Sequence, residues 1–292
     1  MRRGSTFLRG LLALLALTPF AVAQTTGLRL PETVEAGSSF SATNAGSGAA
    51  ILYMVGPGGA FQRNVQLGEA ISFGPDDLHN AGHYVALLVA GSSAQTTQFD
   101  VVPSRQPATL SFLAKPSRLP VNRMDGISGV VYVFDVFRNL VLAPQQVSFK
   151  LSSPAGSTQT RTATTTNGVA WVRMNSAAQA GAAQFQASAG GIRERRVVQQ
   201  VAGDPCTLRI SARESGQRIL LETEPVRDCS GNAIPDGTIV TFTETYGGGQ
   251  ANVDVPLKRG IARTEMPARR GAVISAATGV VMGNEIRWNG GQ

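Results

Sequence analysis

Within Thr238-Ile239-Val240-Thr241-Phe242 the last three residues alternate apolar, polar, apolar. A period of two puts Val240 and Phe242 on one face of a strand and Thr241 on the other. A second run, Gly82 to Val89, is followed by Gly91-Ser92-Ser93 and then Thr96 to Val102, which predicts a hairpin. After Ala23 no stretch holds an apolar stripe at helical spacing over the length of an ordinary helix. Short runs rich in Thr, Val and Ser instead alternate with Gly, Pro, Asn and Asp, with turn signals every ~8–12 residues, the spacing of a sandwich or barrel. The pattern predicts an all-β chain.

The same letters recur. Asp135, Asn139, Val147 and Phe149 match Asp228, Asn232, Val240 and Phe242 at a single offset. Pro107-Ala108-Thr109-Leu110 faces Pro205-Cys206-Thr207-Leu208, Gly168-Val169-Ala170 faces Gly260-Ile261-Ala262, Met174 faces Met266, and Gly181-Ala182 faces Gly271-Ala272. The offset drifts slightly along the chain, as it does when loops change length and strands do not. Two homologous modules follow, 105–202 and 203–292. The segment 24–104 has the same size and texture without the signature, and reads as a third module of the same class, three tandem immunoglobulin-like β-sandwiches in all.

Within the signature each residue type has a backbone task. Asp228 can accept amides of the turn that follows it, and Gly231-Asn232 tolerate the positive φ of a tight reversal. Asp135 and Asn139 take the matching places. Pro235 and Asp236-Gly237 make the next turn. If Val226 faces the core in register with Leu220, strict alternation buries Glu222 and Glu224, which is costly without partners; a bulge at Pro225 that resets the register is therefore expected.

This stretch resembles the bacterial immunoglobulin-like (Big-1) domains that repeat in surface proteins of the intimin and invasin type. Val226, Asp228, Gly231, Asn232, Val240, Phe242, Gly260, Ala262 and Gly271 carry the resemblance in 203–292. Val133, Asp135, Asn139, Val147, Phe149, Gly168 and Ala170 carry it in 105–202, where Arg138 replaces the glycine. The resemblance implies rigid stalk or spacer domains that present adhesive surfaces.

Composition refines this picture at the ends. Arg2, Arg3 and Arg9 precede the apolar run Leu11 to Leu17, and Ala21-Val22-Ala23 supplies small residues, so 1–23 reads as a cleaved secretory signal peptide. The run is too short to span a bilayer, and no integral membrane segment is expected after it. Export to the periplasm, cell surface or exterior follows. The formal charge of +7 includes those three arginines, and the remaining charges are scattered, which argues against nucleic acid as a partner. The two cysteines, Cys206 and Cys229, read as a disulfide in an oxidising compartment.

Reactive constellations are sparse. The two histidines, His79 and His83, flank a turn-like Asn80-Ala81-Gly82, so their rings are not expected to converge on a metal. No nucleophile elbow, phosphate-cradling loop or dinucleotide fingerprint occurs. Catalytic, cofactor-binding and metal-binding residues are each expected to be none. Trp171 and Arg173 are different, because the register that the resemblance implies turns Ala170, Val172 and Met174 inward and so turns these two outward as a contact anchor. The reading is a secreted, non-enzymatic stalk or adhesion module at the bacterial cell envelope with a protein or glycan partner. Its alternatives are a carbohydrate-binding accessory protein and, last, a hydrolase.

Overall fold

The computed structural model describes residues 27–154, 156–267 and 269–290, so the proposed signal peptide lies outside the described residues. The chain divides into two compact units, one ending at Val102 and one beginning at Pro103. All regular structure in the described residues is β, and no described helix is long and apolar enough to cross a membrane.

Among the described residues the first unit has seven strands: β1 (Thr33–Glu35), β2 (Phe40–Ala42), β3 (Gly48–Gly56), β4 (Gly59–Leu67), β5 (Ile71–Phe73), β6 (Gly82–Ala90) and β7 (Ser93–Val102). They form a five-stranded sheet in the order β1-β7-β6-β3-β4 and a two-stranded sheet β2-β5. Leu52, Met54, Ala86, Leu88 and Phe99 of the larger sheet are buried, as are Ala42 and Phe73 of the smaller one. Phe40 stacks on Phe73 with ring centroids 4.4 Å apart. Alternation along β3 and β6 thus selects the inner face, as the period of two requires.

The second unit contains two sandwiches in tandem. The first comprises β8 (Thr109–Lys115), β9 (Arg118–Pro120), β10 (Ile127–Phe134), β11 (Gln146–Ser152), β12 (Thr158–Thr164), β13 (Val169–Met174), β14 (Gly181–Ala189) and β15 (Ile192–Val201). Its sheets run β13-β10-β8 and β12-β11-β14-β15-β9. Between them Phe112, Phe149 and Phe185 are fully buried, Phe112 meeting Phe185 edge to face at 5.0 Å. Burying such a side chain contributes about 1.5–3 kcal/mol.

The second sandwich comprises β16 (Pro205–Thr207), β17 (Ile210–Ser215), β18 (Arg218–Thr223), β19 (Arg227–Asp228), β20 (Ile239–Tyr246), β21 (Gly249–Pro256), β22 (Arg263–Pro267), β23 (Val273–Thr278), β24 (Val281–Met282) and β25 (Ile286–Arg287). Ile219, Leu221, Val240, Phe242 and Met266 form a core distinct from that of the first sandwich. Phe149 stands opposite Ala187, and Phe242 opposite Ala276. The two phenylalanines therefore occupy matching surroundings in all-β, immunoglobulin-like sandwiches.

The register at Pro225 shows how the repeat is broken. Val133 N donates to Gly168 O at 2.9 Å, and Val226 N donates to Gly260 O at 2.8 Å. One pairing step earlier, Val131 faces Ala170 while Thr223 N donates to Ala262 O at 3.0 Å. Two residues, Glu224 and Pro225, thus stand where Tyr132 alone stands in the earlier copy, a β-bulge at the proline. The bulge does what the expectation asked of it and keeps the glutamates out of the core: Ile219, Leu221 and Thr223 are buried, and Leu220 and Glu222 point outward. Glu222 is ion-paired there to Arg263.

The first unit shares features with the first sandwich of the second unit that its letters do not advertise. Thr33–Glu35 pairs parallel with Asp100–Val102, just as Arg118–Pro120 pairs parallel with Gln199–Val201. Gly82 has φ 145° and Gly181 φ 146°. A Cβ at either would come within 2.6 Å of a proline ring, Pro57 or Pro154. Both positions demand glycine for the same reason, a strand that starts against a proline turn.

Candidate functional site

The Asp corners are the most elaborated polar structures in the second unit. Asp228 is buried, and its Oδ1 accepts from Ser230 N at 2.9 Å and Asn232 N at 2.8 Å. Its Oδ2 accepts from Gly203 N and from Asn232 Nδ2, both at 2.9 Å. Burial pushes this carboxyl up, but the hydrogen bonds from the Asn232 side chain and from the Gly203, Asn232 and Ser230 amides outweigh it, leaving the pKa below the ordinary carboxylate value. Asp135 repeats the arrangement: Oδ1 accepts from Phe137 N at 2.9 Å and Asn139 N at 2.8 Å, and Oδ2 from Ser104 N and Asn139 Nδ2, both at 3.0 Å. In each copy the aspartate therefore grips the segment that leads into its own sandwich.

Turn geometry corrects one sequence expectation. Gly231 adopts φ 84°, but Asn232 does not have positive φ; the matching left-handed residue of the earlier copy is Arg138 at φ 70°. Asn232 is used for its side chain. Its Oδ1 accepts from Ala180 N at 2.8 Å, and its Nδ2 donates to Ala178 O at 2.8 Å as well as to Asp228. Ala178 and Ala180 lie in the β13–β14 loop of the preceding sandwich, so this one amide joins the two sandwiches. Asn122 adds a hydrogen bond to Ser230 across the same joint.

Cys206 and Cys229 are disulfide-bonded, with Cα atoms 4.8 Å apart. The bond ties β16 to the corner that contains Asp228. The corresponding places in the earlier copy are Ala108 and Val136.

Trp171 on β13 is 63% exposed, with Val172 buried beside it. Two shallow grooves flank the indole, one lined by Asp125, Arg161 and Arg173, the other by Thr164, Thr166 and Val169. Arg161 and Asp125 are ion-paired at 3.6 Å. Trp288 packs against the core of the last sandwich. The histidines engage different groups: His79 Nε2 lies 3.0 Å from Pro75 O, and His83 Nδ1 lies 2.9 Å from Asp100 Oδ1. Among the described residues no group of three or more His, Cys, Asp or Glu is placed to share a metal ion.

Sequence reasoning missed a buried ion pair. Glu244 has no solvent exposure and pairs with Arg269, whose guanidinium lies 4.0 Å from the Tyr246 ring centroid. It takes the core position that Leu151 fills in the earlier copy, two residues beyond the matched phenylalanine.

No protein-family model matches the sequence, and no curated protein matches it. Solved structures do. The Escherichia coli adhesin FdeC superposes with a TM-score of 0.53 at 12% identity, covering 86% of this chain and 90% of that one. Invasin, a bacterial integrin-binding protein, gives 0.48 at 10% identity, covering 89% of this chain and 58% of that one. At such identity the likeness to FdeC establishes the fold: a tandem array of immunoglobulin-like sandwiches, as found in a bacterial adhesin.

Proposed function

We propose that the chain is an exported, non-enzymatic stalk or adhesion protein of the bacterial cell envelope. After a cleaved signal peptide, 1–23, it carries three modules, 24–104, 105–202 and 203–292, the last two of Big-1 type. The observation that carries this reading is the repeated Asp corner. Each copy spends a buried aspartate on holding its entry segment, and Asn232 bonds the neighbouring sandwich through two backbone groups. A spacer needs stiff joints, and direct hydrogen bonds between modules supply them. The disulfide and the adhesin-like fold support export and a surface role.

The partner is a protein or glycan of the cell surface or periplasm, and Trp171 with Arg173 is its contact anchor. Truncating an aromatic anchor of this kind costs about 2 kcal/mol or more in binding. Pull-down from envelope extracts with the chain starting at residue 24 tests this. The reading expects a captured partner that Trp171→Ala releases; equal capture by both forms would remove Trp171 from the site. A glycan-binding accessory role is the second reading, favoured by the indole standing between a groove lined by Arg and Asp and one lined by Thr. Glycan-array binding abolished by Trp171→Ala would select it.

A further inference from the structure

The free edge of β13 is closed at both ends and open in its middle. Val133 N donates to Gly168 O, which sets the alternation of the antiparallel ladder. Ala170, Val172 and Met174 exchange hydrogen bonds with β10, and Val169, Trp171 and Arg173 turn their N–H and C=O to the free side. Thr166 takes up both groups of Val169, its C=O accepting at 3.1 Å and its N–H donating at 2.9 Å. At the other end lies Asn175, the next residue in that alternation. The Gln159 side chain reaches it from β12 as a neighbouring strand would, its Oε1 accepting from Asn175 N at 3.2 Å and its Nε2 donating to Asn175 O at 2.8 Å. Among the described residues nothing bonds the free-side groups of Trp171 and Arg173. Two donors and two acceptors therefore stand in line beside a groove of 460 Å³, in which Arg161 and Arg173 face the single anion Asp125. In the constant-type immunoglobulin sandwich the sheet order A-B-E-D puts a further strand at this edge. Here β12 pairs with β11 in the opposite sheet, and the place beside β13 is open.

The last sandwich guards the same edge. Arg263 and Glu265 hold the places of Trp171 and Arg173, and each is ion-paired across the strand, to Glu222 and to Arg218. Arg218 also donates to Glu265 O at 3.0 Å, covering one of the edge carbonyls. Charged side chains on an edge strand discourage a further strand. The earlier sandwich lacks that guard: Trp171 is 63% exposed, and Arg173 has no carboxylate partner among the described residues, Asp125 being paired to Arg161.

We infer that β13 takes up an extended acidic segment of a partner protein as an added strand. The inference rests on reading Trp171 and Arg173 as the contact anchor, and it names what they hold. An extended backbone presents donors and acceptors at the spacing that these four groups require, and side chains on one face of it give the selectivity. The rows of the sheet specify those side chains. Leu113-Val130-Trp171 is apolar, and Lys115-Ser128-Arg173 carries two cations and no anion. An added strand extends each row by one residue, so an apolar side chain falls beside Trp171 and, two residues away, Asp or Glu falls beside Arg173. The caps at Val169 and Asn175 limit the pairing to about five residues.

Nuclear magnetic resonance of the full chain tests this, with blocked peptides of about five residues centred on Val-Thr-Asp or Asp-Thr-Val to cover both strand directions. At saturation the amides of Trp171 and Arg173 are expected to exchange at least about tenfold more slowly, with those of Ala170 and Val172 unchanged. N-methylation of the peptide at alternate residues should abolish binding in one phase and leave it in the other, since one set of N–H groups faces β13 and the other faces water. Replacing the peptide's Asp by Asn should weaken binding about threefold in the wild type and not at all in Arg173→Gln. Binding that leaves both amides exchanging as before would overturn the added strand; if Trp171→Ala abolishes that binding, the anchor itself stands. Amide protection that persists in Trp171→Ala would uphold the strand and remove the indole from the anchor. Failure of every peptide to bind up to about 5 mM, or capture of glycans with no peptide bound, would overturn the inference.

Discussion

Glu244, which has no solvent exposure, is ion-paired to Arg269, which is partly open to solvent. The earlier copy has Leu151 at the same core position. A carboxylate there is held only by its partner, because its Oε1 has no hydrogen bond. Removing one member of a buried pair strands the other, whereas replacing the charge with a hydrocarbon does not.

Arg269→Ala is therefore expected to destabilise the last sandwich by about 2–4 kcal/mol, and Glu244→Leu to be neutral or stabilising. Urea denaturation of the two variants and of the double variant checks this. Equal losses from both single substitutions would contradict it.

Asp228 gives a pH signature. Its folded pKa is lowered from the ordinary value, so the folded state binds its proton less readily than the unfolded chain does. The stability it contributes is fully present above the unfolded carboxylate pKa and disappears as pH falls through the folded one. The difference in urea midpoint between wild type and Asp228→Ala should be constant from about pH 7 to about pH 5 and shrink steadily below about pH 4. A difference that grows on acidification would reverse the sign.

Arg138 occupies a left-handed conformation that Gly231 occupies in the other copy. A side chain in that region costs roughly 1–2 kcal/mol, part of which glycine returns as backbone entropy in the unfolded chain. Arg138→Gly is expected to stabilise its sandwich by about 0.5–1 kcal/mol, and Gly231→Arg to cost a similar amount, read from thermal melts.

The disulfide constrains the last sandwich only. Replacing Cys206 and Cys229 together by Ala is expected to cost about 3 kcal/mol on the loop-entropy estimate. The preceding sandwich has Ala108 and Val136 in those places, so its own transition should be unmoved by reductant. Loss of both transitions together in a reducing melt would contradict this.

Strand positions and the repeat were legible in the sequence because they rest on period-two alternation and on turn residues whose backbone demands are local. Val147, Phe149, Val240 and Phe242 are all fully buried, and Trp171 faces outward, as alternation requires. The partners of Asn232 were not legible: it bonds the backbone of Ala178 and Ala180, and a backbone group leaves no trace in residue type. The bulge at Pro225 was legible because unbroken alternation from Leu220 to Val226 would have buried Glu222 and Glu224, and a bulge moves the phase by one.

The central claim is that the second unit is two duplicate sandwiches held in a fixed relation by the corner of the later one. Residual dipolar couplings measured separately for 105–202 and 203–292 within the intact chain test it most directly. The account predicts one shared alignment tensor in the wild type, with Asn232→Ala giving two tensors of different magnitude while both sandwiches keep their own folds. Independent tensors in the wild type, or a shared one that survives Asn232→Ala unchanged, would contradict it.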